Sequence, residues 1–342
     1  MVNVGNTLED LGEYLAEHHL IGAWARGAKI APRAGITATH WDAEGIREAL
    51  LQSGKLVDIG SGGATGMRSV VGVEARRFPV YMNAQVLMPG ERTEAHRNLR
   101  SETRLVVEAP KEAVFVCEFE AYPMERGDVV ISPAWTYHDH FNGGTTPAIF
   151  VDGYDNGYNP NVNVNEKLPG GQLFEDITRP EGFTQNVRGH LRAGGAAAVK
   201  VPFPLPPMRY PWSETQAALT AMRDAEVAPD PYEGYQLLFT SPVDGGATLP
   251  TMAWQVQQLD PRFKGLDHRH NSTSFYFVFE GEGTTTIEGQ RLEWHKGDIF
   301  GVPPWTTHHH ENTSSGDTIL FSIDDWPAMQ KLGFFMEDKA TL

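Results

Sequence analysis

Two histidines, His268 and His270, stand two residues apart, and His308 follows about 40 residues later. In a strand, a spacing of two sends both side chains to the same face. Inside a small barrel that face is the lumen, where an imidazole from a facing strand can complete a triangle. Three neutral imidazoles on one side of a divalent ion leave its other positions open, as oxygen chemistry requires. His309 and His310 come next. His310 shares the parity of His308 and is expected to line the pocket, with His309 pointing away. The competing reading is a scatter of surface histidines in a chain that has 13 of them.

A second, altered constellation lies upstream. His96 is followed by Asn98 where a second histidine would stand, and His138 lies about 40 residues on. Glu102 and Arg104 share the parity of 96 and 98, so on an unbroken strand all four face one way. His96, Glu102 and His138 could then form a two-histidine, one-carboxylate metal site, with Asn98 as a further donor. Alternatively, this set has lost its metal and survives as scaffold. A buried Arg104 needs a partner, either a substrate carboxylate or an internal pair with Glu102 or Asp152. Tyr276 and Ser322 hold the places of Arg104 and Asp152 in the downstream set.

The elements around these residues are duplicated. ERGDVVISPAWTYHDHFN at 125–142 parallels HKGDIFGVPPWTTHHHEN at 295–312. Gly127 and Gly297, Pro133 and Pro303, Trp135 and Trp305, His138 and His308, Asn142 and Asn312 all share one offset of 170. Short β-rich runs broken by turn residues surround both copies. The fold expected is all-β: a bicupin, two antiparallel double-stranded β-helix (jelly-roll) barrels with a few peripheral helices. The expected division is an N-terminal segment at 1–77, a first barrel at 78–155, a connector with one helix at 156–234, a second barrel at 235–325 and a tail at 326–342. Helices are predicted at 7–19, capped by Thr7, at 43–52, and at 213–226, capped by Ser213.

Composition narrows the partners. Lys and Arg number 28 against 44 Asp and Glu, a formal net charge of -16 that repels phosphate backbones and argues against nucleic acid. Cys117 is the single cysteine, so no intrachain disulfide can form. The first 19 residues lack the basic and apolar regions of a signal peptide, and no 18-residue apolar run is present. A cytoplasmic protein without a membrane partner is the expectation.

At PGERTEAHRN, SETRLVVEA, GDVVISPAWTYHDHFNGGTTPAIFVDGYD, LDHRHNSTSFYFVFEGEG and GDIFGVPPWTTHHHEN the chain resembles the gentisate 1,2-dioxygenase family. That family includes salicylate, 5-substituted salicylate and 1-hydroxy-2-naphthoate dioxygenases. The resemblance implies a homo-oligomeric bicupin, tetrameric in assembly, that uses Fe(2+) and O2 on a small aromatic hydroxy acid. Such a substrate is cleaved between its carboxylate-bearing and hydroxyl-bearing carbons. His96 and His138 match two family iron ligands, and Arg104 matches the arginine that holds the substrate carboxylate. His140 matches a histidine near the substrate oxygen, and Asp152 an acid of the pocket. The family has histidine at the place of Asn98 and a small residue at that of Glu102. Two outcomes follow: an altered metal site in the first barrel, or chemistry moved to His268, His270 and His308. The pocket set of Arg104, His140 and Asp152 favours the first barrel, with His140 or His310 managing the hydroxyl proton. A decarboxylase of oxalate type and a non-catalytic binding bicupin are the rival readings, and manganese rivals iron.

Overall fold

Alternating apolar residues between turn signals form antiparallel strands, and these close into two barrels of two facing sheets each. The computed structural model describes residues 6–22, 38–59, 68–155, 158, 164–179, 181, 209–241 and 244–339. Residues 182–208 of the expected connector lie outside that set. In the first barrel a seven-stranded sheet runs Leu20–Gly22, Arg68–Gly72, Tyr81–Leu87, Ala148–Tyr154, Glu102–Glu108, Val129–Ser132, Arg209–Tyr210. It faces five strands in the order Asn165–Lys167, His96–Asn98, His138–Asn142, Ala113–Cys117, Glu120–Pro123. The second barrel repeats the plan. Its six-stranded sheet runs Tyr235–Leu238, Ala253–Leu259, Thr318–Asp324, Ser274–Glu280, Ile299–Val302, Thr39–Trp41. Opposite lie Gln290–His295, Glu282–Ile287, His308–Asn312, His268–His270 and Glu337–Lys339.

The terminal segments complete these sheets. N-terminal strands join both barrels, and the segment expected as a tail carries the strand Glu337–Lys339. A shared core joins the barrels: Leu105, Val129, Ile131 and Val151 pack in one cluster with Trp254, Phe275 and Ile323. The Trp254 indole N–H donates to Thr103 Oγ1 across this contact at 2.6 Å. Gly153 lies there too, and a Cβ would come within 2.6 Å of Thr103 Oγ1, so the close approach requires glycine.

The duplicated Gly-Asp turn has one job in both copies. Gly127 and Gly297 take φ of 90° and 93°, a conformation open to glycine. Asp128 then accepts from Trp212 N, and Asp298 from Ala43 N, each at 2.8 Å. Each carboxylate thus satisfies an orphan donor at the start of a helix. The helices are Trp212–Asp224 and Ala43–Leu56. Ser213 therefore lies inside its helix instead of capping it; Pro211 holds the cap position and Asp128 supplies the acceptor. Thr7 does cap Leu8–Glu17, accepting from Asp10 N at 3.1 Å. No helix among the described residues is long and apolar enough to cross a membrane.

One buried carboxyl lies against the first barrel. Glu175 accepts from Phe119 N at 2.7 Å through Oε2, while Oε1 has no partner among the described residues. Burial, with Asp139 and Glu118 nearby, pushes it up to about 9. A carboxyl whose folded pKa is raised stabilises the fold below its unfolded pKa and loses that stability as pH rises through the folded value. Glu175→Gln should therefore raise Tm by several degrees at pH 8 and leave it unchanged near pH 4, measured by calorimetry.

Candidate metal centres

In the second barrel His268 and His308 are cross-strand partners, which places their rings 4.3 Å apart between centroids. His270 reaches the same point from the lumen face of its strand, 5.2 Å from His308. All three are buried, and one ring nitrogen from each comes within 4.8 Å of the others. Each Nδ1 is tied behind the ring: His268 to Leu266 O at 3.3 Å, His308 to Thr306 O at 3.0 Å, His270 to Ser272 Oγ at 2.8 Å. That anchoring fixes the tautomer and turns Nε2 inward, as metal-ligating histidines require. Burial and the neighbouring imidazoles hold His308 well below the usual histidine range, so its Nε2 lone pair stays open.

The turn before each third histidine clamps the arrangement. Trp305 and Trp135 take φ of 61° and 65°, a left-handed conformation that is uncommon for a side chain of this size. The conformation lets Trp305 N–H donate to His270 O at 2.6 Å and Trp135 N–H to Asn98 O at 2.7 Å. Arg269 and Arg97 stack on the two indoles at 4.7 and 4.5 Å.

A cavity of about 230 Å³ opens beside the triad, with His270, Ser274, Tyr276, Gln257 and Asp324 in its wall. Among the described residues, Lys339 is the single lysine or arginine lining it. Glu233, also in the wall, lies 2.9 Å from His268 Nε2 through Oε1. Burial alone would raise Glu233, but the His268 contact holds it below the usual carboxylate range. Burial raises Asp324, which accepts from Ser272 and Ser274. Two carboxyls facing one space with pKa values moved apart can divide the roles of proton donor and acceptor.

His310 is not in that wall. It is fully buried, 4.7 Å from Tyr276, with Nδ1 on Thr285 Oγ1 at 2.8 Å. Like His268 and His308 it is absent from the cavity wall, where Tyr276 beside it stands instead, and its ring lies 5.8 Å from that of His308. His309 does point away, onto Asp267 at 2.6 Å.

The first barrel also gathers its set, by a different route from the one expected. His96–Asn98 and Glu102–Glu108 are separate strands in opposite sheets, so no unbroken strand carries 96 to 104. The two sheets face one another, and His96, Glu102 and His138 still meet within 4.8 Å. Nδ1 of His96 and of His138 is tied to a backbone carbonyl; among the described residues Nε2 of both and Oδ1 of Asn98 have no hydrogen-bond partner, with Glu102 Oε2 3.6 Å from His138 Nε2. These donors also fit a divalent ion. Glu102 is encircled, however. Its Oε1 accepts from Asn98 Nδ2 at 2.9 Å and Arg100 Nε at 2.8 Å, and its Oε2 from Arg104 Nη2 at 2.9 Å. Burial alone would raise it, but Arg100, His138 and Arg104 hold it well below the carboxylate range.

Arg104 therefore pairs with Glu102 and, through Nε, with Asp152 at 3.2 Å. Of its two expected partners the internal one is present, and among the described residues only Nη1 lacks a partner. Burial pushes Asp152 up to about 7 against the pull of Arg104. His140 stacks on Phe115 at 5.1 Å, neither ring nitrogen has a hydrogen-bond partner among the described residues, and burial holds it well below the histidine range.

Comparison with known proteins places this architecture. A family model described as "Cupin domain" matches residues 83–154 and 255–324. A 5-aminosalicylate 1,2-dioxygenase of Comamonas sp is 30% identical over 96% of this chain and 90% of its own length. The chain belongs to the gentisate and salicylate 1,2-dioxygenase family. Gentisate 1,2-dioxygenase 1 of Aquipseudomonas alcaligenes is likewise 30% identical, over 95% of this chain and 94% of that one. Salicylate 1,2-dioxygenase of Pseudoaminobacter salicylatoxidans, solved with gentisate, shares the fold at a TM-score of 0.78 and 24% identity, covering 92% and 88% of the two chains. Members of this family are bicupin ring-cleaving dioxygenases, so the chain is an oxidoreductase with the bicupin fold.

Sequence reasoning missed Glu233, Lys339 and Gln257. One signal for Lys339 was present. Asn165–Lys167 straps His96–Asn98 in the same register as Glu337–Lys339 straps His268–His270, with Lys167 opposite His96 and Lys339 opposite His268. The strap belongs to the duplication, but three residues are too few to stand out in sequence.

Proposed function

We propose that this protein is an Fe(II)-dependent 1,2-dioxygenase that opens a single-ring ortho-hydroxybenzoate between its carboxylate-bearing and hydroxyl-bearing carbons, and that the second barrel holds the chemistry. The observation that carries this reading is the convergence of His268, His270 and His308, each anchored through Nδ1, beside a cavity of about 230 Å³. That volume lies below the roughly 300–1,000 Å³ of pockets for drug-sized ligands and suits one ring. When bound, ferrous iron supplies the redox link between ring and dioxygen. Lys339, whose pair with Glu337 at 3.1 Å is solvent-exposed and therefore weak, offsets the substrate carboxylate. Glu233, whose Oε1 stands 2.9 Å from His268 in the cavity wall, is the carboxylate placed to take the proton of the substrate hydroxyl. Tyr276 and Trp326 give the ring its aromatic walls.

Sequence alone favoured the first barrel because Arg104, His140 and Asp152 stand there. With Glu102 and Asp152 already on Arg104, a substrate carboxylate would have to displace a buried internal one, and that costs several kcal/mol. We read the homo-oligomeric assembly of the family into this chain as well, which light scattering will check. The test of function is oxygen uptake by the Fe(II)-loaded protein with gentisate, salicylate and 5-substituted salicylates, with product mass showing two oxygen atoms gained. Loss of carbon dioxide without oxygen uptake would favour a decarboxylase.

A further inference from the structure

Gln85 and Gln257 occupy equivalent places in the two barrels. Gln85 lies opposite Phe150 between Tyr81–Leu87 and Ala148–Tyr154; Gln257 lies opposite Leu320 between Ala253–Leu259 and Thr318–Asp324. In the first barrel the Gln85 Oε1 acceptor is taken by Arg104 Nε at 3.2 Å. The second barrel has Tyr276 where Arg104 stands, and the equivalent acceptor is released. Gln257 is 1% exposed and lines the cavity, and its Oε1 has no partner among the described residues. Its amide cannot be turned round without loss. Nε2 donates to Glu233 Oε2, and reversal would set the amide oxygen against that carboxyl oxygen.

A buried acceptor locked in this orientation is satisfied only by a donor from water or ligand. Leaving it unmet costs about 1–3 kcal/mol. Glu233 and Glu337 in the same wall can also accept, while Lys339 and the Gln255 amide, whose Oε1 accepts from Gln236 at 2.8 Å, supply donors elsewhere around the cavity. We propose that Gln257 is a specificity-determining residue. It selects, among ortho-hydroxybenzoates, those whose ring carries a further hydrogen-bond donor, a second hydroxyl or an amino group, over rings bearing hydrogen, methyl or halogen at that place. The proposal rests on the reading that the second barrel is the active site.

The test compares kcat/KM for 2,5-dihydroxybenzoate and 5-aminosalicylate with that for salicylate and 5-methylsalicylate, in the wild type, Gln257→Met and His308→Ala. Bound iron is measured in each. A site built to hydrogen-bond a substituent rejects the analogue lacking it, so the wild type should prefer the donor-bearing pair by at least about 10-fold. Gln257→Met, close in volume, should bring the preference within about 3-fold while keeping its iron. Anaerobic ligand binding to the same protein should show the same collapse, which a merely structural role would not produce. Equal kcat/KM for both substrate pairs in the wild type overturns the proposal even if Gln257→Met fails to fold, and so does an undiminished preference in a folded, iron-replete Gln257→Met. If His308→Ala keeps both iron and turnover, the second-barrel reading has failed and the proposal goes with it.

Discussion

His308→Ala should lose its tightly bound iron and more than about 100-fold of its oxygen uptake, while His138→Ala keeps both within a few-fold. The asymmetry follows from what each imidazole holds. His308 is the cross-strand partner of His268 and sits 5.2 Å from His270, so its removal leaves two histidines spaced along one strand. Two donors do not hold a ferrous ion against chelators. His138 faces a first-barrel set in which Glu102 is already committed to Asn98, Arg100 and Arg104. Iron content after chelation and gel filtration, with oxygen-electrode rates on the same samples, decides it. A dead His138→Ala beside an active His308→Ala would move the chemistry to the first barrel.

The triad was legible in sequence because strand parity is local: two residues of spacing determine a face wherever the strand lies. The offset of 170 carried the rest, since a duplicated Pro-x-Trp-x-x-His turn can be placed by analogy with its twin. What failed was the route expected for the first-barrel set, although His96, Glu102 and His138 still converge. Residues 99–101 interrupt the strand that was to carry His96 to Arg104, and Glu102 reaches the site from the opposite sheet. Parity sent His310 inward correctly, yet it does not reveal that Tyr276 stands between that ring and the cavity. Glu233 comes from the turn before Tyr235–Leu238, and Lys339 from the last described strand. Their meeting with His268 is a matter of topology, and no pairwise spacing encodes it. The fate of Arg104 depended on which carboxylate was nearer, a distance that a one-dimensional pattern does not contain.

Glu102→Ala should destabilise the protein by about 3–5 kcal/mol, on the order of 10 °C in Tm, without removing oxygen uptake at low temperature. Glu102 is fully buried and accepts from two guanidiniums, Arg100 and Arg104, which the alanine would strand in the first-barrel interior. Asp152 remains for Arg104, but Arg100 loses its carboxylate. Stranding a buried charge costs far more than breaking an exposed pair, so Lys111→Ala, which removes a solvent-exposed partner of Glu112, should change Tm by no more than a degree or two. The pH dependence adds a second check. The folded pKa of Glu102 is depressed, so its stabilisation is fully present above the ordinary carboxylate pKa and is lost as pH falls through the folded value. The Tm gap between wild type and Glu102→Ala should therefore be widest at neutral pH and narrow on strong acidification. The same variant bears on the site. A scaffold carboxylate predicts a lowered Tm with iron and turnover retained below the new melting range. If Glu102→Ala instead keeps its Tm and loses iron and turnover, Glu102 is a ligand, and the first barrel, altered donors and all, is where the ring is opened.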